Sequence, residues 1–172
     1  MIRRIVSHIA AGAAVALFAA SATLAQTGIQ TGGLRADPNA PVAVEADDLA
    51  LDQTAGTAVF RGNVSVIQGE MTLTAPEITV HYLHNPDGSL SGDIDRITAS
   101  GGVMIVTPTE AAEARDAIYT PASSEMVMTG DVVLTQGGNT LAGERLTVDL
   151  ETGTGRVEGR VRTILQPGNQ PQ

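Results

Sequence analysis

The chain has 172 residues, a formal net charge of −9, 42% hydrophobic residues, 2% aromatic residues and no cysteine. All ten basic residues are arginine, and the acidic balance leaves no basic stripe to neutralise phosphates, which argues against a nucleic-acid binder. The lack of cysteine excludes a disulfide scaffold, a thiol nucleophile and any Cys-ligated zinc or iron–sulfur site.

In chain order, Arg3 and Arg4 form a short basic region, Ile9 to Ala20 is an alanine-rich apolar run, and Thr23 and Ala25 put small residues at −3 and −1 of a cut after Ala25. This is the pattern of a secretory signal peptide over 1–25, with an apolar run shorter than the roughly 20 residues a membrane-spanning helix needs. The mature chain, 26–172, would carry eight arginines against 19 Asp and Glu, a net charge of −11. Residues 26–40 (Gln, Thr, Gly, Pro, Asn) read as a flexible leader and 166–172 as a disordered tail. The block 41–165 has no linker to divide it and reads as one domain.

That block is internally repetitive. Phe60-Arg61-Gly62-Asn63-Val64 aligns with Met128-Thr129-Gly130-Asp131-Val132 at an offset of 68, which also pairs Gln68-Gly69 with Gln136-Gly137, Leu73 with Leu141 and Thr79-Val80 with Thr147-Val148. Weaker copies of the core occur at Gly101-Gly102-Val103 and Gly159-Arg160-Val161, so the four glycines lie 39, 29 and 29 residues apart. The unit is a strand, a Gly-containing bend, and another strand.

Alternation supports strands throughout. Ile78, Val80 and Tyr82 alternate with Thr79 and His81; Leu146, Val148 and Leu150 alternate with Thr147 and Asp149; Met126 and Met128, then Val132 and Leu134, continue the pattern. Turn signals fall between the runs at 85–88, 136–139 and 152–155. Residues 110–114 are helix-prone in composition but too short for an independent helix. The expected class is all-β. The runs Val64-Ser65-Val66-Ile67 and Val103-Met104-Ile105-Val106 are apolar on both faces, which suggests burial on both sides. With only Phe60, Tyr82 and Tyr119 as aromatics beyond residue 25, the interior either packs tightly with aliphatic side chains or leaves an aliphatic trough.

The chemistry of catalysis is not apparent. His81 and His84 lie three apart and would face opposite sides of a strand, and Asp93 and Asp95 lack the glycine frame of a calcium loop, so no metal site is expected. There is no nucleophile elbow, P-loop or dinucleotide fingerprint, so neither an enzyme nor a cofactor is expected.

The strings Val44-Glu45-Ala46-Asp47-Asp48-Leu49, Phe60-Arg61-Gly62-Asn63-Val64-Ser65-Val66-Ile67-Gln68-Gly69, Leu73-Thr74-Ala75 and Val80-His81-Tyr82 resemble the OstA-like (LptA) family of periplasmic lipopolysaccharide transport proteins. The likeness covers about 42–165 and departs from the family pattern at Ala75-Pro76, where Ala-Asp is usual; a proline there suits only an edge, a bend or a strand start. The resemblance implies a single open, V-shaped β-jelly roll whose inner faces hold acyl chains, working in outer membrane assembly. It also implies head-to-tail stacking through edge strands, with an LptC-type inner-membrane jelly roll and an LptD-type outer-membrane translocon as partners. The candidate edges are 42–46 and 157–165. Family position and strand parity together give Val42, Val44, Val64, Val66, Leu73, Val80, Tyr82, Val103, Ile105, Tyr119, Met128 and Leu134 as lipid-lining candidates, each of which could equally be an ordinary core residue. The acidic charge would repel lipid phosphates, so recognition should run through acyl chains. Arg156, Arg160 and Arg162 either meet a phosphate or guard an edge strand. Two rival readings are an LptC-like jelly roll retaining its N-terminal helix as an anchor, against which the cut at Ala25 speaks, and a ligand-free structural β-module.

Overall fold

A computed structural model describes residues 29–30, 34–35 and 40–166; the signal-peptide reading of 1–25 and most of the expected tail lie outside these residues. The alternating runs form eleven strands: β1 (Ile29–Gln30), β2 (Val42–Glu45), β3 (Asp48–Asp52), β4 (Thr57–Gln68), β5 (Met71–His84), β6 (Leu90–Val106), β7 (Glu110–Thr120), β8 (Glu125–Gln136), β9 (Asn139–Asp149), β10 (Thr154–Glu158) and β11 (Arg162–Ile164). All pairings are antiparallel and follow the path β1-β10-β9-β8-β7-β6-β5-β4-β2, with β3 also on β4 and β11 also on β9. The two ends of the path do not meet, so the sheet is open, as expected for the jelly roll. The helix-prone 110–114 is part of β7, because its Ala112 and Ala114 alternate into the core and tertiary packing overrides composition.

Strands β5 and β6 carry register shifts around Tyr82 and Ile94, and apart from these the long strands bend in a row across the sheet. The four repeat glycines are these bends. Pairs of successive positive φ angles occur at Gly62-Asn63 (74° and 47°), Gly101-Gly102 (90° and 109°), Gly130-Asp131 (84° and 53°) and Gly159-Arg160 (77° and 41°). The register shifts beside them, between Arg61 and Val64, Ser100 and Val103, and Thr129 and Val132. An extra residue on one strand of a pair bends that strand and raises its twist, so alternate strands carry the bulge that folds the sheet on itself. Pro76 sits in this row, between the shifted positions Thr74 and Glu77, which is the bend the proline requires. The gaps between β2 and β3 and between β10 and β11 are the same bend on the edge strands. Polar pairs tie neighbouring bends: Asn63 Nδ2 donates to Asp47 Oδ2 (2.8 Å), Arg115 Nη2 to Asp131 Oδ2 (2.8 Å) and Arg160 Nε to Glu144 Oε1 (3.0 Å). These pairs are exposed and each adds little to stability.

The row divides the sheet into two facing arms. The front arm comprises β2, 64–68, 71–75, 103–106, 110–113, 132–136, 139–142 and β11; the rear arm comprises β3, 57–61, 77–84, 90–100, 116–120, 125–129, 145–149, β10 and β1. Opposite the bends, the hairpin tips of the two arms form a seam. The core lies between the arms and contains Val64, Ile78, Ala99, Val103, Ile105, Ala112, Met128, Leu134, Leu146 and Val148. Burial on both faces, suggested by 103–106, is corrected: Val103 and Ile105 face inward, but Met104 and Val106 point away from the core and are each 41% exposed. Among the described residues no second layer covers the outer surface, and the β-branched and threonine content of that face reflects strand propensity.

Gly130 makes the role of the bends testable. Its φ is +84°, and a Cβ added there would lie 2.8 Å from the Cβ of Arg115, whereas at Gly102 (φ +109°) an added Cβ meets nothing within 4 Å. Gly130→Ala should lower stability by roughly 2–3 kcal/mol and Gly102→Ala by about 1 kcal/mol, read as denaturant midpoints. Equal losses would mean that backbone conformation alone, and not strand crowding at the bend, sets the cost.

Candidate functional site

Inward-facing residues from both arms enclose a cavity of about 430 Å³. The front wall is Val42, Val44, Val66, Met71 and Leu73; the rear wall includes Phe60, Ile78, Val80, Tyr82, Ile97, Tyr119 and Met126. Strand register puts these side chains together: Val44 pairs with Val66 and Val66 with Leu73 on the front arm, while Phe60 pairs with Ile78 and Val80 with Ile97 on the rear arm. Among the described residues, the polar lining side chains are Gln68 and the two tyrosines, Tyr82 and Tyr119. The Tyr119 hydroxyl is pushed above its ordinary pKa by burial, as an apolar surround requires. A space of this size and character is on the scale of ligand pockets, about 300–1,000 Å³.

The interior differs along its length. Towards β2 and β3 it opens to solvent: Val42 is 57% exposed, and Leu49 and Leu51, whose register partners Phe60 and Ala58 face inward, are exposed too. Towards β8 and β9 it is closed, with Met128 and Leu146 both 0% exposed. The choice left open by composition is therefore resolved as both: packed core at one end, trough at the other.

Part of the segment expected to be a flexible leader contributes to the closed end. Ile29–Gln30 pair with Gly155 and Thr154 of β10, and Leu34 is 1% exposed within the core. The Leu34 N–H donates to Glu110 Oε2 (3.1 Å), and Arg35 Nη2 donates to the Thr152 carbonyl (2.6 Å). Glu110 is itself 3% exposed and also accepts from Gln136 Nε2. A composition-based reading misses this because one leucine among small polar residues carries no periodicity.

Of the twelve lining candidates, the structure brings Val42, Val44, Val66, Leu73, Val80, Tyr82 and Tyr119 onto the cavity. It places Val103, Ile105, Met128 and Leu134 in the closed core, and Val64 in that core beside the bend. Strand parity could have supplied Ile78 and Met126, which alternate in step with Val80 and Met128, and Phe60 two residues from a bend. Ile94, Ile97 and Leu150 also line the space. The edge at 157–165 is split into β10 and β11, and none of its three arginines faces the cavity. Arg156 and Arg162 point outward by register, and Arg160 is held by Glu144 at the bend. His81 lies on the outer face, its pKa lowered by partial burial and by the Arg96 guanidinium, against an opposing pull from Asp95. Among the described residues, no group of three or more His, Cys, Asp or Glu could hold a metal ion.

Three comparisons agree with this architecture. An uncharacterised protein of Rhizobium meliloti, R00383, is 34% identical over 163 residues, spanning 91% of this chain and 88% of the relative. The lipopolysaccharide export system protein LptH of Pseudomonas aeruginosa is 28% identical over 158 residues, spanning 81% of this chain and 86% of LptH. The crystal structure of LptH, the LptA-homologous periplasmic component of the lipopolysaccharide transport device of that organism, superposes with a TM-score of 0.63 at 23% identity, covering 74% of this chain and 96% of LptH. The family model for the LptA/(LptD N-terminal domain) LPS transport protein matches residues 43–154, which include the cavity walls from Val44 onward and the bends at Gly62, Pro76, Gly101 and Gly130 but not the one at Gly159. The chain therefore belongs to the LptA/LptD N-terminal-domain family of lipopolysaccharide transport proteins.

Proposed function

We propose that this protein is a periplasmic carrier that holds lipopolysaccharide acyl chains in the cavity between its arms and passes them toward the outer membrane. The observation that carries this reading is the aliphatic cavity of about 430 Å³, open at the β2–β3 end and lined from both arms. Burying alkyl chain there gains roughly 0.8 kcal/mol per CH₂. A 14-carbon chain fully enclosed would gain on the order of 10 kcal/mol, a value that would make release very slow. An open trough encloses the chain only in part, which suits a carrier. The net charge of −9, with no arginine of the C-terminal edge facing the cavity, supports recognition through the chains with head groups in water.

Transfer requires neighbours. Among the described residues the edge strands β2 and β3 pair only with β4, and they carry exposed Val42, Val44, Leu49 and Leu51, a surface suited to strand addition by a second jelly roll. The partners that fit are an LptC-type jelly roll at the inner membrane, an LptD-type translocon at the outer membrane, and further copies of this chain between them. A ligand-free module would need a filled interior, and the open end is not filled.

A photo-crosslinking residue at Val80, with an outward control at Thr147, tests the proposal. Irradiation with lipopolysaccharide should give a lipid adduct at Val80 alone. Adducts at neither position, with the protein folded, would remove lipid carriage.

A further inference from the structure

The cavity is graded from the bends to the seam. On the rear arm its row nearest the bends, Phe60, Ile78, Ala99 and Ala117, is hydrocarbon alone, and strand register sets these side chains next to one another. The next row holds Val80, Ile97 and Tyr119, and one step further toward the seam stands Tyr82, opposite Ile94. On the front arm Gln68 is the last residue of β4. Among the described residues, the polar side chains of the lining therefore all lie within two residues of a strand end at the seam.

Neither tyrosine hydroxyl has a hydrogen-bond partner among the described residues. Burial alone raises the Tyr119 pKa, with no hydrogen bond contributing. Among the described residues no side-chain oxygen cut off from solvent is left unpaired, so both hydroxyls are reached by water through the seam. A plain alkyl chain laid across them would displace that water and return nothing. A chain that carries its own oxygen at that level replaces the water with a direct hydrogen bond, because a phenol both donates and accepts. Sites whose polar groups the ligand must pair reject the analogue lacking the partner far more strongly than a hydrocarbon wall rejects a missing methylene.

We infer that Tyr82 and Tyr119 are specificity-determining residues that select acyl chains bearing oxygen near the head. The inference rests on the carrier reading above and adds which chains the trough prefers. The chain lies with its methyl end against the hydrocarbon row and its head at the seam. Tyr82, the outer of the two, donates to the carbonyl of the head linkage. Tyr119, one row deeper, pairs with a hydroxyl borne a few carbons along the chain. A plain saturated chain satisfies the first tyrosine and strands the second.

Two isomers of hydroxylated methyl dodecanoate, identical in composition, test this by equilibrium dialysis. The protein should bind the 3-hydroxy ester at least about fivefold more tightly than the ω-hydroxy ester, whose hydroxyl falls against the hydrocarbon row. Tyr119→Phe keeps the ring, removes only the oxygen, and should shrink that ratio to within about twofold. An unchanged ratio, in a variant shown by its thermal melt to be folded, overturns the role of Tyr119. Tyr82→Phe should weaken both esters by the same factor, since both carry the head carbonyl; affinities equal to those of the parent would remove Tyr82 from the site. If the parent binds both isomers equally, the carrier reading stands and the selectivity falls. If the folded parent binds neither, both fall together.

Discussion

Leu73→Glu should lose at least tenfold in lipopolysaccharide affinity, about 1.4 kcal/mol, while the protein remains folded. Leu73 lies in the front wall between Val66 and Ile105 in the register and is only partly buried, so water reaches the new carboxylate at the trough. An empty trough tolerates that charge for about 1–2 kcal/mol, but an alkyl chain lying against it would strip its hydration. A binding titration beside a thermal melt separates the two effects. Unchanged binding with a lowered melting temperature would show that lipid does not use this wall.

The reverse pattern is expected at the other end. Leu146→Ala removes a fully buried side chain from the packed region and should cost about 2–5 kcal/mol. For a chain of this size that corresponds to roughly 5–15 °C in melting temperature. Affinity measured at a temperature where the variant is folded should stay within about twofold, because Leu146 does not line the cavity. The two substitutions dissociate stability from binding in opposite directions. Should Leu146→Ala instead weaken binding as much as Leu73→Glu, the division of the interior into a packed end and an open end would be functionally empty.

Much of this was legible in the amino-acid sequence because it is encoded locally. The Gly-x-Val copies mark the bends, since a positive φ at two successive residues favours glycine followed by Gly, Asn or Asp, with Arg160 the exception. Strand parity identified the inward faces, from Ile78 and Tyr82 to Leu146 and Val148. Parity does not tell which inward residues meet an empty space and which meet other side chains. Val103, Ile105, Met128 and Leu134 have the same local pattern as Val66 and Leu73; they are enclosed because arms distant in sequence converge on them. Leu34 is the clearest case. Its burial depends on Glu110, 76 positions away, and on Thr152, which binds its neighbour from 117 positions away. Nothing within its own stretch announces either contact.

The wall residues Tyr82 and Tyr119 are the only tyrosines in the chain, and it has no tryptophan. Ultraviolet emission excited at 280 nm therefore comes from the cavity and from nowhere else in the protein. The native molecule, without label or substitution, is thus its own optical gauge of occupancy: filling the space with hydrocarbon alters the surroundings of every emitter, and events on the outer surface alter none of them directly.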